Sequence, residues 1–171
     1  TTDATVEDGS FTMPAKDVKL TGSWIANDDT EYTVEYYHEQ IEGVYELDDS
    51  QVRKGTTATE AIVTEADKAD RENGKYTFDA DHESNVLSGT IAADGSLVLK
   101  LYFNLNEFEV SYEYTGEVPE GAPEVPAAEQ VKADATVTVK AAPTLKGYTF
   151  NGWTTTDATV EDGSFTMPAK D

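Results

Sequence analysis

The sequence predicts a mostly β, α+β protein: two small β-grasp-like modules per 154-residue tandem repeat, with mixed sheets and one short helical crossover. Three observations predict it. β-Branched and aromatic residues recur in alternating runs broken by Gly, Asn and Asp, which is the pattern of half-buried strands joined by turns. One segment, Thr57 to Arg71, is instead rich in Ala and Glu. And the first seventeen residues, Thr1 to Asp17 (TTDATVEDGSFTMPAKD), recur letter for letter as Thr155 to Asp171. Such identity implies a tandem array whose period is a whole domain or two, far longer than solenoid repeats. In such an array the chain would continue past Asp171 as it continues past Asp17.

The elements follow in order. Val18, Leu20, Gly22 and Trp24 share one face of a strand, with Lys19, Thr21 and Ser23 on the other. Residues 1–24 are thus expected to be the C-terminal part of a preceding module, and Ile25 to Thr30 a short linker. Tyr32 to Tyr37 and Val44 to Leu47 predict a hairpin. Thr57 to Arg71 predicts the helical crossover. Leu87 to Ile91 and Leu97 to Leu105 predict a second hairpin about the Asp94-Gly95 turn, with Leu97, Leu99, Leu101 and Phe103 inward. These elements close a first module over residues 31–106.

A second module is expected over residues 107–171, lacking its last strand, whose sequence is that of Val18 to Trp24. Its strands are predicted at Phe108 to Tyr114, Val137 to Val139 and Tyr148 to Trp153. Val118 to Ala128, with three prolines and a glycine, reads as an exposed loop. Gly147 marks a turn, and Thr154 to Ser164 is a loop before Phe165 and Met167.

Acidic residues outnumber basic ones 34 to 12, a formal charge of −22. That charge repels nucleic acid and anionic membrane surfaces, so neither is an expected partner. Between neighbouring units it favours an extended array. No apolar run approaches the ~20 residues of a membrane span, so membrane insertion is not expected. With no cysteine, disulfides, thiolate metal sites and cysteine nucleophiles are excluded.

No catalytic residue emerges: carboxylates are too numerous for any spacing to select a pair, and an enzyme is not expected. The two histidines, His38 and His82, have no second ligand at metal spacing and read as solvated side chains. Asp79, Asp81, Glu83 and Asn85 offer oxygen ligands at every second position, a pattern suited to Ca²⁺. The stretch lacks the central glycine and closing glutamate of an EF-hand loop, and a plain acidic loop is the competing reading; otherwise no cofactor is expected. Tyr36, Tyr37, Tyr112 and Tyr114 are the surface candidates for ligand contact, because adjacent tyrosines on a strand point to opposite faces and at least one of Tyr36 and Tyr37 should be exposed. Trp24 and Trp153 read as core filling in preference to a sugar-stacking platform.

The Gly-Tyr-Thr-Phe-Asn-Gly-Trp stretch at 147–153, then Ser-Phe-Thr-Met-Pro-Ala-Lys-Asp, then Val-Lys-Leu-Thr-Gly-Ser-Trp (the last two read at 10–24), resembles the internalin B-repeat, or Listeria–Bacteroides repeat. Tyr32 to Leu105 is similar to the mucin-binding-protein (MucBP) repeats of Gram-positive adhesins. The likeness lies in YTVEYY, in Lys75-Tyr76-Thr77 and in SGTI..DGSLVLKLYF; the insert from Asp79 to Asn85 departs from it. Both resemblances imply a wall-attached or secreted bacterial surface protein built of tandem modules. The function so implied is an extended adhesin stalk. Two alternatives stand beside it: a module binding mucin, glycan or another host ligand, and a subunit joining copies of itself head to tail, with Val18, Leu20 and Trp24 on the donated strand.

Overall fold

A computed structural model describes residues 4–169; the outermost residues of the two duplicated segments, 1–3 and 170–171, lie outside it. The described residues are mostly β, in small sheets, with one 3-10 turn at Glu72–Gly74. None of their helices is long and apolar enough to cross a membrane.

The strands are β1 (Thr30–Glu39), β2 (Tyr45–Gly55), β3 (Glu60–Ile62), β4 (Tyr76–Phe78), β5 (Ser88–Thr90), β6 (Val98–Leu105), β7 (Glu107–Val110), β8 (Glu129–Lys132), β9 (Thr136–Thr138) and β10 (Ser164–Thr166). The main sheet runs β2-β1-β6-β4. Its central pair, β1 and β6, is parallel, and both outer pairings are antiparallel. Central strands buried on one face must alternate strictly, and these do: Val34, Tyr36 and His38 from β1 meet Leu99, Leu101, Phe103 and Leu105 from β6 in one core. The inward set expected from Leu99, Leu101 and Phe103 is the set observed, and Leu97 packs against it.

The expected first hairpin is present and longer than predicted. Gly43, in a left-handed conformation (φ 81°), closes its turn by donating to the Gln40 carbonyl at 2.9 Å. The β1–β2 register steps between Tyr36↔Asp49 and Tyr37↔Leu47, which leaves Asp48 as the extra residue of a β-bulge.

Two expectations for this half are corrected. Thr57 to Arg71 holds no helix. Its first part holds β3, and from Ala61 to Val63 burial alternates, with Ala61 and Val63 buried and Ile62 exposed, a period of two. The remainder closes as successive turns, Asp67 N–H to the Thr64 carbonyl and Lys68 N–H to the Glu65 carbonyl, and goes no further. The second predicted hairpin is also absent. β6 is flanked by β1 on one edge and β4 on the other; the chain touches β6 at the Val86–Lys100 bridge, and Leu87 to Ile91 then leaves to pair, as β5, with β3. The Asp94-Gly95 turn does form, with Gly95 donating to the Ala92 carbonyl at 3.0 Å, but it connects strands that are not each other's neighbours.

A second cluster gathers Val110, Val137 and Met167, with Phe108, Tyr112, Val131 and Phe165 against it. Phe108 touches both clusters, and Ala133 lies in the first. Ion pairs Lys132–Glu39 and Lys75–Asp134, each 2.7 Å, tie the two halves together. β7 pairs with β8 and β9 with β10, all antiparallel. The strand expected at Phe108 to Tyr114 ends at Val110, and Tyr148 to Trp153 joins no sheet. β8 (EQVK) forms without an alternating apolar pattern to announce it.

Val18 to Trp24 lies outside all four sheets, and Leu20 and Trp24 are exposed. Among the described residues it pairs with no strand of its own chain. Alternation alone supplies no partner edge.

The duplicated segment reports on itself. In both copies Asp-Gly occupies the centre of a turn with positive φ at both positions, 46° and 75° at Asp8-Gly9 and 47° and 75° at Asp162-Gly163. This is the type I′ requirement that Asp-Gly meets well. Glu7 and Ser10 exchange two backbone hydrogen bonds at 2.8 and 2.9 Å, as do Glu161 and Ser164. What differs is the surroundings. Met167 donates to the Ala135 carbonyl beside β9 and is 6% exposed, whereas Met13, the same residue one period earlier, is 63% exposed.

Candidate functional site

The four tyrosines divide into two places. Tyr36 is buried in the first core, and its hydroxyl donates to Asp67 Oδ1 at 2.7 Å. Burial, reinforced by the Asp67 carboxylate, raises its phenol pKa. It offers nothing to a ligand, because the alternation of β1 turns it inward beside Val34 and His38. Tyr37 points to the other face, half-buried. Its ring stacks on Tyr102 (4.6 Å, 8°), and Tyr102 stacks in turn on His82 (4.0 Å, 7°). Tyr45 meets His82 and Tyr102 edge-on. Both faces of Tyr102 are therefore occupied by protein rings.

Tyr112 and Tyr114 are half-buried around Trp153. Tyr114 stacks on the indole at 5.6 Å and Tyr112 meets it edge-on at 5.0 Å, with Phe150 edge-on at 4.7 Å. Each hydroxyl also holds backbone: Tyr112 accepts from Lys140 N–H, and Tyr114 donates to the Pro123 carbonyl, both at 3.1 Å. These rings line a groove of about 1050 Å³. The Trp153 indole N–H, buried beside it, has no partner. Trp153 is half-buried among these rings and belongs to neither apolar cluster, and Trp24 is fully exposed, so neither is the core residue expected.

The four oxygen-bearing residues of the 79–85 loop are not brought together as a cation cage. Asp79 Oδ1 accepts from Asp81 N–H at 3.1 Å, closing an Asx turn. Asn85 serves as a pin, its amide donating to the Asp79 carbonyl at 2.7 Å and its oxygen accepting from Tyr102 N–H at 3.1 Å. Among the described residues, the group of three that gathers within metal-ligand reach lies elsewhere: His38, Asp48 and Glu72.

His38, expected in solvent, is buried in the main core. It is 2% exposed, stacked on Tyr76 at 4.0 Å and edge-on to Phe103 at 5.7 Å. The signal was available, since Val34, Tyr36 and His38 occupy one face of β1. Its Nδ1 lies 3.6 Å from Asp48 Oδ2 and 3.8 Å from Glu72 Oε1, and its Nε2 is buried without a partner. Burial lowers its pKa, against the opposing pull of the Asp48 carboxylate, and so favours the neutral ring.

A second polar knot serves structure. Arg53 Nη1 donates to Asp67 Oδ2 at 3.0 Å, and Thr64 supplies its N–H and hydroxyl to the same oxygen at 2.7 and 2.8 Å. Lys100 stands on the outer face of the main sheet, 3.7 Å from Glu35.

Neither the curated proteins nor the solved structures contain a match to this chain. Residues 108–171, the half holding the Trp153 groove and the second copy of the duplicated segment, match the family model of the Listeria-Bacteroides repeat domain.

Proposed function

We propose that this chain is a non-enzymatic structural repeat of a bacterial surface protein, forming part of an extended adhesin stalk outside the cell. The observation that carries the reading is the duplicated segment, which folds to the same type I′ turn at both ends of a 154-residue period. A local structure fixed by sequence and repeated at a constant offset is what a tandem array requires. The family match over residues 108–171 supports the bacterial surface setting. The parallel β1–β6 pair at the centre of the main sheet supports a grasp-like first module, the feature it would share with MucBP-type repeats. A charge of −22 per chain keeps units apart at distances within the Debye length, roughly 8 Å at physiological salt.

Small-angle scattering on proteins of one, two and three periods tests this. The longest dimension should grow by a constant increment per period; a compact particle whose length is independent of period number overturns it.

A second reading, head-to-tail association, is favoured by one observation. Val18 to Trp24 lies outside every sheet with Trp24 fully exposed, while the Trp153 groove flanks the other copy of the sequence that precedes it. In this reading that segment of one unit lies against the groove of the next. Sedimentation velocity over a wide concentration range should show reversible growth that Trp24→Ala abolishes; a constant monomer rules it out. Mucin or glycan binding remains the third reading, supported by the half-buried Tyr37, Tyr112 and Tyr114.

A further inference from the structure

We propose that His38, Asp48 and Glu72 form a binding site for a divalent transition cation, with Zn²⁺ the reference ion, that clips the β2 bulge and the Glu72–Gly74 turn onto the central strand. The three residues come from three segments. His38 sits on the buried face of β1, Asp48 is the extra residue of the β2 bulge, and Glu72 opens the 3-10 turn. Both carboxylates owe their aim to backbone irregularity. A regular strand would not offer Asp48 as an added residue, and Glu72 holds φ 49°, a left-handed conformation unfavourable to glutamate.

The imidazole is the observation that separates this group from the many exposed carboxylates. It is almost wholly buried, and its Nδ1 is the nitrogen turned to the two carboxylate oxygens, at 3.6 and 3.8 Å, too far for a hydrogen bond; Nε2 points away from them, buried without a partner, and would carry the ring proton when Nδ1 binds a cation. The separations that are too long for hydrogen bonds suit a shared cation. Ligand bonds of about 2.0–2.2 Å in tetrahedral array set neighbouring donor atoms about 3.3–3.6 Å apart. The three donor atoms all lie within 4.8 Å of one another.

The donor set selects the ion class. One imidazole nitrogen with two carboxylates suits Zn²⁺ and its first-row neighbours, whereas Ca²⁺ takes six to eight oxygens. The carboxylate side chains are 45% and 48% exposed, so the ion can enter from solvent and complete its shell with water. Outer contacts orient the ligands. Lys75 holds the second oxygen of Glu72 at 3.1 Å and is itself held by Asp134 at 2.7 Å; Tyr76 fixes the imidazole plane. Lys75 and the Arg71 guanidinium, 3.7 Å over the Tyr36 ring, place positive charge nearby, which sets the affinity below that of a closed structural zinc site.

The test is Zn²⁺ titration of the intact chain by calorimetry in 0.3 M salt, with the ¹⁵N shift of the His38 imidazole followed in parallel. One ion per chain is expected, with a shift at Nδ1 as the ion binds. Asp48→Asn and Glu72→Gln change exposed side chains and should leave the fold intact by circular dichroism, while each weakens binding at least about tenfold. The variant Asp79→Asn, Asp81→Asn, Glu83→Gln is the control for diffuse binding to an acidic surface and should bind as the parent does. The proposal is overturned if binding does not saturate, if the His38 shift does not move, or if the Asp48→Asn, Glu72→Gln double variant binds like the parent.

Discussion

Asp67 is buried beneath Arg53, and their two-point contact joins the turn after β3 to the second strand of the main sheet. The same carboxylate takes the Tyr36 hydroxyl and both donors of Thr64, so one side chain fixes the crossover against the core. Removing one partner of such a pair leaves the other charge uncompensated. Asp67→Asn should therefore destabilise the fold by about 3 kcal/mol, read from urea denaturation. In a cycle with Arg53→Met the two effects should fail to add by more than about 1 kcal/mol, and additivity to within about 0.5 kcal/mol would show that the contact is not energetically coupled.

The pair also sets an acid limit. The Arg53 hydrogen bond, with smaller contributions from Thr64 and Tyr36, holds the Asp67 carboxyl far below the usual carboxylate range despite its burial. A carboxyl depressed in the folded state binds its proton more readily when unfolded. Its stabilisation is complete above the unfolded value of about 3.9 and is lost as pH falls below it. The parent should thus lose more stability than Asp67→Asn between pH 5 and pH 2.5. Parallel pH slopes for the two proteins would remove Asp67 from the acid response.

The inward face of β6 could be read because four apolar residues at every second position admit one arrangement. Its neighbours could not, since a parallel pairing with β1 joins residues some sixty-five apart and nothing local announces it. The Ala- and Glu-rich composition of Thr57 to Arg71 hid a period of two at Ala61, Ile62 and Val63, where tertiary pairing with β5 prevailed over helix propensity. His38 was legible by alternation and overlooked by residue type. Asp48 and Glu72 were not, because a bulge and a left-handed glutamate have no signature in the residues that adopt them. The same limit applies at Val18 to Trp24, where an alternating pattern describes a face but not the surface it meets.

Asn85 yields a prediction that separates a loop pin from a cation ligand. Its side chain satisfies the Tyr102 N–H of β6 and the Asp79 carbonyl together. Asn85→Ala leaves both open and should cost about 1–3 kcal/mol, with the backbone amide of Tyr102 exchanging faster with solvent. Adding Ca²⁺ to the parent should leave its melting midpoint and the Tyr102 exchange rate unchanged. A calcium-dependent rise that Asn85→Ala abolishes would restore the cation reading.

The two copies of the duplicated segment allow one substitution to be made twice in one molecule. Gly9 and Gly163 both hold φ 75° at the second central position of a type I′ turn, with nothing near an added Cβ. Space is not the issue; the left-handed conformation is. Alanine there should cost each turn about 1 kcal/mol. The turn at Gly163 delivers Phe165 and Met167 to β9 and the second cluster, so that cost is drawn from the stability of residues 107–169. The turn at Gly9 delivers Met13 to solvent. Gly163→Ala should lower the urea midpoint of the chain while Gly9→Ala leaves it within about 0.5 kcal/mol of the parent, the range of ordinary surface changes. In a protein of two periods, where the segment holding the second period's Gly9 is also the first period's Gly163 segment, substitution there should regain the larger cost. Equal effects of the two substitutions in the single chain would mean that the N-terminal copy is packed against a surface in solution, and would locate the partner of Val18 to Trp24 on the same molecule.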